Sequence, residues 1–261
     1  MKKLSYQTLK ELNYDGYLLE SAPERVLQFG EGNFLRAFVD YFIDKMNEMA
    51  GFNSKVVVCQ PQGSPLADII TEQEGLYTLF LRDFQDGQKI NKKRVISCEL
   101  IDNNGQELKK CVLQYARQWQ LGEEFINWIQ KENIFCSSLV DRIVTGYPKK
   151  EASAICGELG YEDQLIDAGE VFAFWAIEGP QSIKEEFPFE KADLPILVTD
   201  NHKPYKQRKV RILSGAHACL LYRFLPRSYT DGRRTDWGQG RQFLYDQRRT
   251  DGSGILLCPQ G

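Results

Sequence analysis

The order of apolar runs and turn residues in the first sixty positions predicts strand, turn, helix and strand. Residues 25–29 (RVLQF) have the composition of a short strand and lead into the glycine-containing segment 30–36 (GEGNFLR). Apolar residues then recur at helical spacing from Phe34 as far as Gly51. Residues 55–60 (KVVVCQ) are typical of a buried parallel strand. This order predicts the start of a dinucleotide-binding unit.

The glycine turn has the chemistry that a pyrophosphate needs. Gly30 permits a tight turn after the strand, and Gly32 leaves room for a phosphate beside the backbone. The backbone N–H groups of Asn33 and Phe34 begin the helix and favour an anion. The match is partial, because Leu35 occupies the third glycine position. Similar turns occur in methyltransferases, so the turn by itself leaves that class open.

Shorter elements are predicted beyond this unit. The predicted strands are 78–82, 94–98, 171–177 and 194–198, with a turn at Asp86-Gly87. From Glu107 the character becomes helical, with amphipathic helices at 108–119 and 123–131 and a further apolar run at 137–144 that ends near Gly146. Asp141 and Arg142 have two interpretations, a solvated surface pair or part of a site. The first hundred residues supply about four strands, fewer than a complete doubly wound sheet needs.

Residues 203–221 (KPYKQRKVRILSGAHACLL) are predicted as one helix with Pro204 in its first turn. At about 100° per residue, His217 lies roughly 80° around the axis from Lys209, and Ser214 roughly 140°. An amine, a hydroxyl and an imidazole can then face one cleft, and the surrounding basic residues suit an anionic substrate. The simpler interpretation is an amphipathic helix with a solvated basic face.

Composition excludes several classes of protein. A net charge of −3 over 261 residues gives no indication of general nucleic-acid binding. No run of about 18 apolar residues predicts a membrane span, and the N-terminus does not resemble a signal peptide. Seven cysteines without a CxxC pair and only two histidines favour a cytoplasmic protein without a zinc site. All lysines lie at or before Lys209, and residues 226–261 lack periodicity, which predicts an irregular tail.

Three stretches carry a resemblance to a known family: 25–40 (RVLQFGEGNFLRAFVD), 135–148 (FCSSLVDRIVTGYP) and 203–217 (KPYKQRKVRILSGAH). Together they resemble the polyol-type long-chain dehydrogenases, which include mannitol dehydrogenase and the hexuronate reductases. Residues 98–105 (CELIDNNG) and 112–129 are most similar to the members that reduce D-tagaturonate to D-altronate. The resemblance covers about residues 20–218.

The resemblance implies an α/β fold, with an incomplete Rossmann-type domain at 1–105 and a mostly helical, incomplete substrate domain at 106–225. It implies NAD(H)-dependent, metal-independent reduction of D-tagaturonate, a small anionic sugar acid, in hexuronate catabolism. The residues themselves leave NAD and NADP open, because residues 60–62 (QPQ) replace the usual acidic ribose contact.

The resemblance also assigns roles to individual residues. The cofactor-binding residues that follow from it and from the turn chemistry are Gly30, Gly32, Asn33, Phe34 and Arg36. Lys209 matches the catalytic lysine of the family and His217 its site histidine. Ser214 occupies a position where the family has an asparagine that holds the substrate oxygen. A hydroxyl can still donate one hydrogen bond there, with a different reach.

The chain departs from the family pattern at two points. Between Cys98 and Glu99 the family carries a long segment that is absent here, and after His217 the resemblance stops. Three interpretations follow: an active hexuronate reductase, an inactive remnant with weak nucleotide binding, or a related polyol or hexuronate dehydrogenase such as mannitol dehydrogenase or fructuronate reductase.

Overall fold

A computed structural model gives the fold, and the structure describes residues 1–60, 65–85, 88–95 and 105–215. The chain divides into two compact units, Met1–His202 and Lys203–Gly261. The turn predicted at Asp86-Gly87, the site histidine His217 and the irregular tail 226–261 all lie outside the described residues.

The described part of the first unit contains both strands and helices. The strands are β1 (Lys2–Lys3), β2 (Glu24–Phe29), β3 (Lys55–Cys59), β4 (Thr78–Gln85), β5 (Gln88–Val95), β6 (Ser137–Asp141), β7 (Tyr161–Glu162), β8 (Asp167–Gly169), β9 (Phe174–Glu178) and β10 (Ile196–Thr199). The helices are α1 (Tyr6–Glu11), α2 (Asn33–Arg36), α3 (Val39–Ala50), α4 (Leu66–Glu72), α5 (Gly105–Gln118), α6 (Glu123–Glu132), α7 (Ala152–Leu159) and α8 (Ile183–Glu186).

These strands form four small sheets. Strand β2 pairs in parallel with β3, and α2 and α3 connect the two, as predicted for the start of a dinucleotide-binding unit. Strand β9 lies between β10, which is parallel to it, and β6, which is antiparallel. Strand β4 pairs antiparallel with β5 and parallel with β8, while β1 pairs with β7.

Helix α3 supplies much of the main core. Its apolar residues recur at i, i+3, i+4 and i+7, which places them on one face. That face packs against β6, β9 and β10; its buried members are Val39, Phe42, Ile43 and Met46. Burial of a side chain such as Phe42 contributes about 1.5–3 kcal/mol. The helix ends at Gly51, whose φ of 63° lets its N–H bond the carbonyl of Met46.

The single helix predicted from Phe34 to Gly51 is two helices in the structure. Helix α2 ends at Arg36, and Phe38 leaves the helical region with φ −126° and ψ −78°. The break follows from a distant contact, because Nη1 of Arg142 donates to the Ala37 carbonyl at 2.6 Å. Arg142 is buried, so its interpretation as part of a solvated surface pair is wrong.

The region after residue 105 differs from the expectation of a mostly helical domain. Helices α5 and α6 lie close to the predicted positions, but the run 137–144 contains strand β6. Together with β9 and β10 it forms a sheet under α3. The boundary predicted at residue 105 therefore falls inside the first compact unit.

The described part of the second unit is one continuous helical segment. It begins as α9 (Lys203–Arg208) and changes to a π-helical turn over Lys209–Ser214. No helix among the described residues of the chain has both the length and the apolar character needed to span a membrane.

Candidate functional site

The glycine turn lies at the carboxyl ends of two parallel strands. The Gly30 N–H donates to the Cys59 carbonyl at 2.8 Å, which extends the β2–β3 pairing into the turn. Gly30 has φ 121°, a conformation that residues with a Cβ rarely adopt. Gly32 is the N-cap of α2 and has no side chain, so the first N–H groups of α2 receive no capping hydrogen bond from it. This is the end of a parallel sheet at which nucleotides bind in doubly wound folds.

The buried side chain of Arg36 holds the glycine turn in place through several hydrogen bonds. Its side chain is only 2% exposed, and Nη1 donates to the Leu165 carbonyl at 2.7 Å. Nη2 donates to the Asn33 side-chain oxygen, one helical turn back. The Tyr77 hydroxyl donates to the Arg36 carbonyl at 2.7 Å, and the guanidinium lies 5.2 Å from the Tyr77 ring centre. In this structure Arg36 therefore positions Asn33, and its direct contact with a cofactor stays a prediction.

Residues 145–148 (the TGYP segment) pack directly against the glycine turn. A Cβ added to Gly146 would lie 2.5 Å from Nδ2 of Asn33, and Gly146 has φ 72°. The N–H and hydroxyl of Thr145 both donate to the Ala168 carbonyl on β8, at 2.8 and 3.1 Å. Two stretches that carry the family resemblance, more than 100 residues apart in sequence, therefore meet at Asn33.

A buried carboxyl lies under the same arginine. Asp167 is fully buried, and its Oδ2 lies 3.9 Å from Nη2 of Arg36. Its Oδ1 accepts a hydrogen bond from the Ala168 N–H at 2.8 Å. Burial raises the pKa of Asp167 to about 7, although the charges of Arg36 and Arg142 favour ionisation. This carboxyl therefore titrates near neutral pH.

The position of Leu35 shows how the turn accommodates a large residue where the full motif has its third glycine. Its side chain is buried in the cluster that surrounds α3, so it points into the core. Phe34 is partly buried and stacks on Phe38 with ring centres 5.3 Å apart. The apolar residues of α2 thus hold the short helix in place while its N-terminus stays at the turn.

The π-helical turn changes the geometry predicted for the lysine helix. Lys209 opens this turn and is half-buried. At the end of the turn Gly215 donates its N–H to the Val210 carbonyl, five residues back. Because a π-helix has more residues per turn than an α-helix, position 214 is about one turn along the axis from Lys209. The angle between the two positions around the axis is therefore smaller than the predicted 140°. Because His217 lies outside the described residues, the cluster of three stays a prediction.

Two contributors to the glycine-turn site, Gly146 and Asp167, were not predicted from the sequence. Gly146 lies in one of the stretches that carry the family resemblance, near the predicted end of the run 137–144. For Arg142 the sequence left a role in a site open beside the role in a surface pair. Arg142 also belongs to the site region, because it binds the carbonyls of Ala37 and Glu170. Burial lowers its pKa to about 10. Nothing in local periodicity indicates such contacts.

Sequence comparison relates this chain to one enzyme family. Residues 84–191 match the mannitol dehydrogenase Rossmann domain, a range that includes the TGYP segment and begins after the glycine turn. The chain is 35% identical to the altronate oxidoreductase of Bacillus subtilis (strain 168), over 82% of this chain and 61% of that protein. It is 33% identical to the altronate oxidoreductase of Yersinia enterocolitica, over 88% of this chain and 62% of that protein. The chain spans about three fifths of the length of these relatives.

The matched region is longer in both relatives than in this chain. The Bacillus alignment has 293 columns and takes in 82% of 261 residues, about 214, so about 79 columns face gaps in this chain. The Yersinia alignment has 309 columns and takes in 88% of the chain, about 230 residues, which again leaves about 79. The relatives therefore carry internal residues that this chain lacks.

Two solved structures share the fold. The substrate-free D-sorbitol dehydrogenase structure has a TM-score of 0.70 and 18% identity, and the similarity covers all of this chain and 72% of that chain. Pseudomonas fluorescens mannitol 2-dehydrogenase, solved as a ternary complex with NAD and D-mannitol, has a TM-score of 0.66 and 18% identity, covering 99% and 71%. These similarities and the domain match confirm the predicted Rossmann-type α/β fold.

Proposed function

The chain belongs to the mannitol dehydrogenase family, and on that premise we propose that it is an NAD(H)-dependent oxidoreductase that reduces D-tagaturonate to D-altronate. The observation that carries the proposal is the similarity to altronate oxidoreductases along most of the chain. The polyol dehydrogenases with the same fold are 18% identical, so they give less support to a polyol substrate. The comparisons give no support to the alternative of an inactive remnant.

The glycine turn fits a dinucleotide. Gly30 has a backbone conformation suited to glycine, Gly32 adds no side chain, and Leu35 points into the core instead of the turn. We therefore assign the pyrophosphate to the backbone N–H groups of Asn33 and Phe34 at the start of α2. Arg36 supports this site as a positioning residue through its bond to the Asn33 side chain.

The chemistry requires a proton donor beside the substrate carbonyl. NADH, when bound, supplies the hydride for reduction of that carbonyl. Lys209 is proposed to give a proton to the substrate oxygen, and Ser214 and His217 to donate hydrogen bonds to it. The π-helical turn that begins at Lys209 supports this role, since such turns occur frequently at functional sites. Lys206 or Arg211 is proposed to pair with the substrate carboxylate.

Steady-state NADH oxidation by the purified chain tests the proposal. With D-tagaturonate we expect turnover and D-altronate as the product, while D-fructose is used much more slowly. Lys209→Ala should lower kcat by at least 100-fold with little change in NADH affinity, because it removes the proton donor alone. Lys45→Ala, at a surface ion pair with Glu48, is the control and should leave both unchanged. D-fructose turnover that exceeds D-tagaturonate turnover would contradict the substrate assignment.

A further inference from the structure

Helices α5 and α6 form a hairpin that is apolar on more than its inner face. The connection between them, residues 119–122, is short, so the two helices are antiparallel neighbours. Their inner faces pack together through Leu113 and Ala116 of α5 and Ile126 and Ile129 of α6. The hairpin also has six large apolar side chains that are each 40–65% exposed: Leu108, Tyr115, Trp119, Leu121, Phe125 and Trp128. Its inner contact therefore leaves much apolar surface uncovered.

Five of these side chains lie on one side of the hairpin. At about 100° per residue, Leu108, Tyr115 and Trp119 lie about 110° around α5 from its inner face. Phe125 and Trp128 lie about 100° around α6 from its inner face, in the same rotational sense. Because the helices are antiparallel, similar rotations away from their shared contact lead to the same side of the pair. The ring centres of Tyr115 and Trp119 are 5.3 Å apart, and those of Phe125 and Trp128 are 5.6 Å apart. We call these five residues the aromatic face.

The aromatic face is large enough for a specific protein contact. An aromatic side chain has about 150–250 Å² to bury, so the four rings at 40–65% exposure leave about 400 Å² open to solvent. Two such faces packed together would bury about 800 Å² from the rings alone, and Leu108 and the flanking polar side chains add to it. A specific interface needs about 1,000 Å² in total, and a monomer rarely exposes an apolar patch of more than a few hundred Å².

The spacing of apolar residues along α5 suits an antiparallel copy of the same helix. Leu108 and Trp119 are equally far from the point between residues 113 and 114, and so are Val112 and Tyr115. If α5 of a second copy packs antiparallel about that point, Trp119 of each copy meets Leu108 of the partner subunit. Tyr115 likewise meets Val112 of the partner subunit. The large ring at one end of the face is therefore matched by the smaller leucine at the other end.

The charges on α6 suit the same arrangement. Glu124 and Lys131 are exposed and seven residues apart, so they lie on the same side of α6, at the edge of the aromatic face. The point midway between them and the midpoint found on α5 are equally far from the middle of the connection 119–122. One two-fold axis can therefore pass through both. In that arrangement Glu124 of each copy faces Lys131 of the partner subunit, whereas a parallel pairing of α6 would place like charges together.

We propose that the aromatic face is a dimer interface, at which the α5–α6 hairpin packs antiparallel on the same hairpin of a second copy of this chain. Trp128 lies beside the two-fold axis, at the centre of the contact, where large aromatic side chains contribute most. The two pairs between Glu124 and Lys131 lie at the rim and set the direction of packing. A second copy fits this surface because a two-fold interface must be complementary to itself. This proposal does not depend on the enzymatic activity.

Sedimentation velocity of the full chain at micromolar concentrations tests it, and we expect a dimer. Glu124→Lys and Lys131→Glu should each raise the dissociation constant of the dimer at least tenfold, because each change brings two sets of like charges together. The double variant Glu124→Lys/Lys131→Glu restores opposite charges and should dissociate within about threefold of the wild-type value. Glu158→Lys makes the same change of charge at an exposed position of α7 and is the control, which should leave the dissociation constant unchanged.

Three results would overturn the proposal. One is a chain that stays monomeric, and a shift of its tryptophan emission on addition of phosphatidylglycerol vesicles would then assign the aromatic face to a lipid surface. Another is a dimer or larger assembly that both single variants leave unchanged, since it would use a different surface. The last is a double variant that dissociates as readily as the single variants, because Glu124 and Lys131 would then not face each other across the interface. Unchanged circular dichroism verifies that the variants fold.

Discussion

Replacing Gly146 by alanine tests the contact between the TGYP segment and the glycine turn. Two costs are expected. The first is the left-handed backbone at φ 72°, which costs a residue with a Cβ about 1–2 kcal/mol. The second is steric, because the new Cβ would lie 2.5 Å from Nδ2 of Asn33. Asn33 would have to move to avoid it, which weakens its bond to Arg36, and losing a partly buried hydrogen bond to a charged group costs up to about 1.5–3 kcal/mol.

Gly75→Ala is the matched control for this experiment. Gly75 has φ 77°, nearly the same backbone conformation, and no atom lies within 4 Å of a Cβ built there. It therefore carries the backbone cost without the steric one. Urea denaturation of both variants should show that Gly146→Ala lowers the free energy of unfolding by about 1.5–3 kcal/mol more than Gly75→Ala. NADH affinity should fall in Gly146→Ala alone. Equal losses of stability in the two variants would refute the proposed role of the Gly146–Asn33 contact.

Two further predictions concern Asp167 and Ser214. Because burial raises the pKa of Asp167 to about 7, the unfolded chain releases this proton first, and the free energy of unfolding should fall as pH rises from about 4 to 7. Asp167→Asn should flatten this part of the stability–pH curve measured by urea denaturation, and an unchanged slope would contradict the assignment. Ser214→Asn should raise turnover of D-tagaturonate by up to about 100-fold at unchanged NADH affinity, since it restores the donor that the family places there. Unchanged turnover would show that position 214 does not face the substrate.

The local pattern of apolar and turn residues correctly predicted the elements whose own sequence contains the signals for both their type and their ends. Strands β2 and β3 are apolar runs next to turn residues, and α3 has a full apolar face and a glycine at its end. The run 137–144 was harder to assign to a strand or a helix. Its strand β6 is buried on both faces, so it lacks the alternation of apolar and polar residues that would distinguish it from a buried helix.

The contacts that shape the candidate site come from far along the chain. The break after α2 depends on Arg142, which is 105 residues away from the carbonyl it binds. The position of Asn33 depends on Gly146 and on Arg36, which is itself held by Leu165. Periodicity describes neighbours along one element, so it could place the glycine turn but not the groups that fix it. The π winding at Lys209 was missed for a related reason, since a rotation of 100° per residue assumes an α-helix.

NADH titration of Gly32→Asp tests the central claim most directly, that the glycine turn binds the cofactor. Gly32 has φ −74° and ψ 168°, an extended conformation open to any residue, and it is the N-cap of α2. Aspartate is a favoured N-cap, so the variant should be as stable as the wild-type chain or more stable by up to about 1 kcal/mol. Its carboxylate would occupy the proposed pyrophosphate position, so NADH affinity measured by fluorescence quenching should fall at least tenfold. A stable variant that binds NADH as tightly as the wild-type chain would contradict the account.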